Sequence, residues 1–127
     1  MNAIMRLVFV SMLMIVAAPA YSATAVHVFT CEQGENAEEE QIEALAAKWL
    51  AAARKAKGGE NLEAYLYWPA AVRMHKQGDL LIVVVAPSFE EWGVFWDGYK
   101  DSEAGGMDTG ELIVCPGSAL WESVKVK

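Results

Sequence analysis

The sequence predicts an α+β fold, a ferredoxin-like βαββαβ sandwich in which a four-stranded antiparallel sheet carries two helices on one face. Three observations predict it. Two successive stretches each read strand, capped helix, strand. The run Leu80-Leu-Ile-Val-Val-Val-Ala86 is apolar at every position, the mark of a strand buried on both faces in the middle of a sheet. The two cysteines, Cys31 and Cys115, fall where this topology brings the end of the first strand to the approach of the fourth.

The chain opens with a leader. Arg6 precedes the apolar run Leu7-Val-Phe-Val-Ser-Met-Leu-Met-Ile-Val-Ala-Ala18 and the small-residue stretch Ala18-Pro-Ala-Tyr-Ser-Ala23. This is the three-part pattern of a secretory signal over residues 1–23. The run is shorter than the ~20 residues a membrane-spanning helix needs, so the leader reads as cleaved rather than as an anchor. Ala18-Pro-Ala20 and Ala20-Tyr-Ser22 both offer cleavage sites. Lipoprotein processing requires a cysteine directly after the apolar run, and Cys31 lies too far downstream. The expected product is one exported domain, residues 24–127, in a periplasm or outside the cell and without stable membrane association. Oxidising compartments preserve disulfides, and the reactive Cys-x-x-Cys spacing is absent, so Cys31 and Cys115 read as one structural bond.

Loss of Arg6 with the leader leaves nine basic against seventeen acidic side chains, a net charge of −8. That balance repels phosphate backbones and anionic membranes and argues against nucleic acid as a partner. A domain this short has a marginal core, which a disulfide or a dimer interface supplements.

Along the mature chain, Val26-His-Val-Phe-Thr-Cys31 is β-branched and aromatic and reads as the first strand. Asn36 offers an N-cap with Glu39 three residues on, and Glu38, Glu39 and Glu40 place negative charge in the first turn. The helix runs to about Lys57, with Ile42, Leu45, Trp49 and Ala53 as its apolar stripe, widened by Ala46 and Leu50. Gly58-Gly59 supplies the stop. Residues 62–68 alternate as a second strand that Pro69 ends. A polar connection with Arg73, His75 and Lys76 leads into the apolar third strand. Ser88 with Glu91 forms a capping box, and Phe89, Trp92, Phe95, Trp96 and Tyr99 fall on one face of the second helix. Residues 103–110 are a loop, residues 111–115 a short edge strand, Pro116-Gly-Ser118 a turn, and residues 119–126 the last strand.

The segment Gly78-Asp-Leu-Leu-Ile-Val-Val-Val-Ala-Pro-Ser-Phe-Glu-Glu-Trp-Gly-Val-Phe-Trp-Asp97, with the element order around it, resembles the dimeric α+β-barrel superfamily that includes the antibiotic-biosynthesis monooxygenase domains. The likeness is one of pattern over most of the mature chain. It implies two sheets paired across a homodimer into a barrel. Some members of that superfamily oxidise aromatic substrates or degrade haem without a conventional cofactor, and the haem-degrading ones rely on an Asn, Trp and His set. Here the first strand carries no Asn, and Trp92 and Trp96 stand on the second helix, so no catalytic residue carries over. The resemblance bears on fold rather than reaction.

Several residues are candidates for a site. His27, on a central strand with Phe29 and Cys31, reads either as a proton acceptor or ligand to a bound molecule, or as a satisfied core residue. His75 reads as a solvated loop residue, and neither histidine stands at a metal-ligand spacing from Cys or carboxylate. The aromatics Tyr65, Tyr67, Trp68, Trp92, Phe95, Trp96 and Tyr99 line a pocket for a flat apolar ligand or make up plain core. Tyr65 and Tyr67, on an edge strand, are also candidates for a dimer interface. The ligand-binding candidates are therefore His27, Tyr65, Tyr67, Trp92 and Trp96, and Asp97, beside Trp96, reads either as a carboxylate at a pocket rim or as a solvated helix position. No catalytic set, metal site or cofactor is implied. Two function classes follow. One is an exported, dimeric domain binding a small apolar or aromatic ligand or a protein partner. The other is a cofactor-independent, monooxygenase-like enzyme acting on an aromatic or haem-like substrate.

Overall fold

A computed structural model of the chain describes residues 23–71 and 79–127. The leader up to residue 22 and the connection carrying Arg73, His75 and Lys76 lie outside the described residues. The elements are β1 (Thr24–Gln33), α1 (Glu39–Lys55), β2 (Glu63–Tyr67), β3 (Leu80–Ala86), α2 (Phe89–Gly98) continued by a 3-10 turn (Tyr99–Asp101), and β4 (Ile113–Ser123). The four strands form one antiparallel sheet in the order β2-β3-β1-β4. With its two helices this is the expected α+β ferredoxin-like arrangement.

Side-chain alternation along each strand gives the sheet two faces. β1 and β3 pair without interruption from Ala25 opposite Ala86 to Cys31 opposite Leu80. Ala25, His27, Phe29 and Cys31 therefore share a face with Leu80, Ile82, Val84 and Ala86. Phe95 of α2 and Ala52 and Ala53 of α1 join Ala25, Val84 and Ala86 in one buried cluster, so this is the face the helices cover. Ile42 of α1 closes a second cluster with Cys31, Leu80 and Ile113. The opposite face carries Val26 and Val28 from β1, Leu81, Val83 and Val85 from β3, Tyr65 and Tyr67 from β2, and Trp121 from β4. None of the described helices packs on it. The wholly apolar β3 thus serves two faces, one beneath the helices and one open.

Helix α1 begins later than Asn36 predicts. Glu38 is its N-cap, because Gln41 reaches back and accepts the Glu38 backbone N–H at 2.9 Å, which Glu39 does not do for Asn36. The expected acidic first turn is kept by Glu39 and Glu40. The helix stops at Lys55, where the Arg54 Nε donates to the Leu62 carbonyl at 2.9 Å and ties the return loop to the helix. Gly58 in that loop has φ +84, and a Cβ there would lie 2.6 Å from the Phe95 backbone nitrogen. Glycine permits both the left-handed turn and the close approach to α2.

The end of the chain also differs from expectation. The predicted pair of strands divided by a turn at Pro116-Gly-Ser118 is a single strand, β4. Its ladder with β1 runs from Thr24 opposite Ser123 to Thr30 opposite Gly117 and resumes at Glu32 opposite Val114. Between these points Cys115 and Pro116 oppose Cys31 alone, a β-bulge. Proline, which has no N–H to give a ladder, is tolerated in an edge strand at such a bulge. The Cys31–Cys115 disulfide crosses the strands at this place, with the two Cα atoms 4.0 Å apart. Cys31 is fully buried beneath α1, whereas Cys115 is exposed. A structural bond of this kind is consistent with an oxidising environment. Among the described residues no helix is long and apolar enough to cross a membrane.

The bond closes a loop of sequence separation 84, which in the chain-entropy account is worth about 4.5 kcal/mol. Replacing both cysteines by serine is expected to lower the urea-unfolding free energy by a few kcal/mol while leaving the far-ultraviolet circular dichroism unchanged. Two free thiols in the unreduced wild-type protein, or equal stability of the double variant, would contradict this.

Candidate functional site

The site grows from the start of α2. The Ser88 Oγ accepts the Glu91 backbone N–H at 3.1 Å, one half of the capping box the sequence predicts, while the Glu91 carboxylate accepts from the Ser88 hydroxyl at 3.2 Å in place of the backbone N–H. The cap sets the rotational phase of the helix, so that Trp92, Phe95 and Trp96 turn toward the sheet. Phe89, expected on the same face, lies at the first turn and remains exposed. Tyr99 follows in the 3-10 turn, where its ring stands 4.4 Å from that of Trp96.

These rings meet His27. Its imidazole stacks on Phe29 at 4.2 Å and receives the edges of Trp96 at 5.0 Å and Trp92 at 5.8 Å. The Trp92 Nε1–H donates to the His27 Nδ1 at 3.4 Å. An indole nitrogen can only donate, so Nδ1 carries the lone pair and the ring is neutral with its proton on Nε2. Burial holds the His27 pKa below the ordinary 6.5, because the charged ring is poorly solvated there. Protonation would also set two donors against each other across the Trp92 contact.

Beside this cluster, between α1 and the sheet, lies a half-open cavity of about 510 Å³. Its floor is Phe29, Ile82 and Val84, and its helical wall includes Ala46, Ala47, Trp49 and Leu50. Trp96, Tyr99 and Met107 contribute from α2 and the segment after it. Ala46 and Ala47 of α1 and Ala64 of β2 are the small side chains that border it from the helix and the edge of the sheet. Glu43 is the charged residue of the lining. The Trp49 Nε1–H donates to the Tyr99 Oη at 3.0 Å, bridging α1 and the end of α2. The Trp96 Nε1 is buried and makes no hydrogen bond among the described residues.

The sequence candidates separate into two groups. His27, Trp92 and Trp96 come together beneath α2, and Trp96 also borders the cavity. His27 and Trp92 are not part of its lining. Tyr65 and Tyr67 project from the opposite face of the sheet, their rings parallel at 6.4 Å and about half exposed. The Tyr65 hydroxyl donates to the Glu63 carboxylate at 2.8 Å, and this bond, with the negative charge beside it, raises its pKa above 10. Tyr65 nonetheless touches the cavity edge from β2. Asp97 is exposed on α2. Of the aromatic pair Trp49 and Tyr99 that meets at the cavity, Tyr99 stands in the aromatic set that the sequence reads as pocket or core, whereas Trp49 does not. Both belong to apolar stripes in the sequence, which carry no polar motif that marks a cavity. Among the described residues no group of three His, Cys, Asp or Glu side chains is placed to hold a metal ion.

No protein-family model matches the chain. No curated protein is detectably similar to it in sequence. Among solved structures, a variant of chlorite dismutase from Candidatus Nitrospira defluvii is similar at 15% identity, with 81% of this chain and 41% of that one covered and a TM-score of 0.43. A second variant of the same protein matches at 13% identity over 82% of this chain and 41% of its own, with a TM-score of 0.40. This chain spans about two fifths of the length of those proteins. No residue or activity is transferred from them.

The His27 environment makes stability depend on pH. Above about pH 6.5 the ring is neutral in folded and unfolded chain alike. As pH falls from there toward the depressed folded value, only the unfolded chain takes up a proton, and stability is lost. Melting temperature is expected to decline between pH 7 and pH 5, with a shallower decline for His27→Gln. An equal slope in the two proteins would show that His27 is not the group responsible.

Proposed function

We propose that this chain is an exported, homodimeric binding domain that takes a small, neutral, apolar ligand in the cavity between α1 and the sheet. The observation that carries this reading is the cavity itself. Its volume of about 510 Å³ falls in the range of ~300–1,000 Å³ usual for small-molecule sites. Its walls are aliphatic and aromatic, and an apolar molecule leaving water gains free energy in proportion to the apolar area it covers. The leader over residues 1–23 and the Cys31–Cys115 bond support export.

A binding role is favoured over a monooxygenase-like reaction on an aromatic or haem-like substrate by the position of His27. As an acid–base group its imidazole would have to reach the ligand. Instead its Nδ1 is engaged by Trp92, and its ring is stacked on Phe29 outside the cavity lining.

Dimerisation is supported by the open face of the sheet. Val26, Val28, Leu81 and Val85 are only partly covered, and Tyr65, Tyr67 and Trp121 stand exposed around them at 46%, 53% and 60%. A contiguous apolar sheet face of this kind is buried by packing a second sheet about 10 Å away, and a second copy of the chain provides one.

The ligand reading is tested with N-phenyl-1-naphthylamine, a neutral probe that fluoresces strongly in apolar surroundings. Saturable enhancement is expected with the wild-type protein, and a loss of at least tenfold in affinity with Ala46→Trp, which fills the cavity from α1. An undiminished response in that variant would place the probe elsewhere. The dimer reading is tested by sedimentation. Wild type is expected at twice the chain mass and Tyr67→Glu at the monomer mass, since a carboxylate buried without a partner in the paired face is strongly disfavoured. A monomeric wild-type protein would remove the pairing from this reading.

A further inference from the structure

We infer that the ligand of this cavity carries a carbonyl-type hydrogen-bond acceptor on an uncharged aromatic body, and that the Tyr99 hydroxyl receives it. The inference rests on the cavity being a ligand site and specifies what enters it. Three features of the lining lead there. Tyr99 Oη accepts from Trp49 Nε1 at 3.0 Å, so the indole proton is spent and the phenol oxygen is engaged as an acceptor. Among the described residues no acceptor takes the phenol hydrogen. A hydroxyl that already accepts a bond is polarised toward donating one, so Tyr99 stands beside the unpartnered, buried Trp96 Nε1–H as a donor of the lining, and its hydroxyl is the more polarised of the two.

The aromatic body follows from the faces available. Trp49, Trp96 and Phe29 border the same space, and offset or edge-on ring packing favours a flat guest over an aliphatic one of equal area. The lack of charge follows from the largely apolar lining, in which a desolvated ion of either sign is costly, and Glu43 with a formal net charge of −7 adds repulsion against an anion. A carboxylate or phosphate would meet repulsion from Glu43 and find no cation in the lining. A ketone or quinone-type carbonyl satisfies all three conditions. It accepts one hydrogen bond, carries no charge and is conjugated with a ring.

Competition with N-phenyl-1-naphthylamine tests this with three probes of one shape: 2-acetylnaphthalene, 2-ethylnaphthalene and 2-naphthoate. The ketone is expected to bind about three- to tenfold more tightly than the hydrocarbon, the range set by one net hydrogen bond, and the carboxylate more weakly than either. Tyr99→Phe should remove the ketone's advantage and leave the hydrocarbon's affinity unchanged. Trp49→Phe, which releases the phenol oxygen but keeps its hydrogen, should reduce the advantage without abolishing it. Equal binding of ketone and hydrocarbon, or an advantage that survives Tyr99→Phe, overturns the role of Tyr99 while the cavity reading stands. Tightest binding by the carboxylate overturns the uncharged class. Failure of all three probes to displace N-phenyl-1-naphthylamine overturns the inference, and failure of N-phenyl-1-naphthylamine itself to bind overturns the cavity reading beneath it.

Discussion

The uninterrupted antiparallel register between β1 and β3, from Ala25 opposite Ala86 to Cys31 opposite Leu80, decides which side chains meet the helices and which face outward. Strand periodicity is two, so a slip of one residue would exchange the faces entirely. Phe29, Ile82 and Val84 would then leave the cavity floor, His27 would lose Trp92, and the valines of the open face would be driven under the helices. The disulfide reinforces the arrangement at one end, because it pins β4 to Cys31 at the bulge where the β1–β4 ladder breaks step. The constraint is therefore shared between a hydrogen-bond ladder at the centre and a covalent tie near the edge.

The two helices use the inner face differently. Helix α2 brings large rings, and these close on His27 with edge-on contacts and on Phe29 with a tilted one. Helix α1 packs Ala52 and Ala53 into the core but borders a cavity with Leu45, Ala46, Trp49 and Leu50 above Phe29, Ile82 and Val84. Close-packed interiors seldom leave such a volume, since each missing contact forfeits dispersion and transfer energy. The buried and unpartnered Trp96 Nε1 adds a further cost of about 1–3 kcal/mol. A fold with a small core gives up stability in this region, and the disulfide offsets part of that loss.

The parts of the fold legible in the sequence were those set by local chemistry. Ser88 with Glu91 marked the start of α2, the apolar run marked β3, and the cysteine pair marked the meeting of β1 and β4. The misread parts were those where a distant partner overrode a local signal. Pro116 reads as a turn, yet the β1 ladder resumes on both sides of it and carries it as a bulge. Asn36 is a good cap in isolation, yet Gln41 bonds the Glu38 N–H and the helix starts there. At the site, grouping the aromatics by residue type joined Tyr65 and Tyr67 to Trp92 and Trp96, although the sheet separates them.

What the sequence by itself determined is the element order, the antiparallel ferredoxin-like plan, the place of the disulfide and the surplus of acidic charge, because each rests on residue type, spacing or a count. Only the tertiary structure decided that His27 is engaged by Trp92 outside the cavity, and that Trp49 and Tyr99 meet across it 50 positions apart. Neither fact has a local signature. A side chain's neighbours depend on strand order, register and helix phase together, and those are settled only when the layers pack.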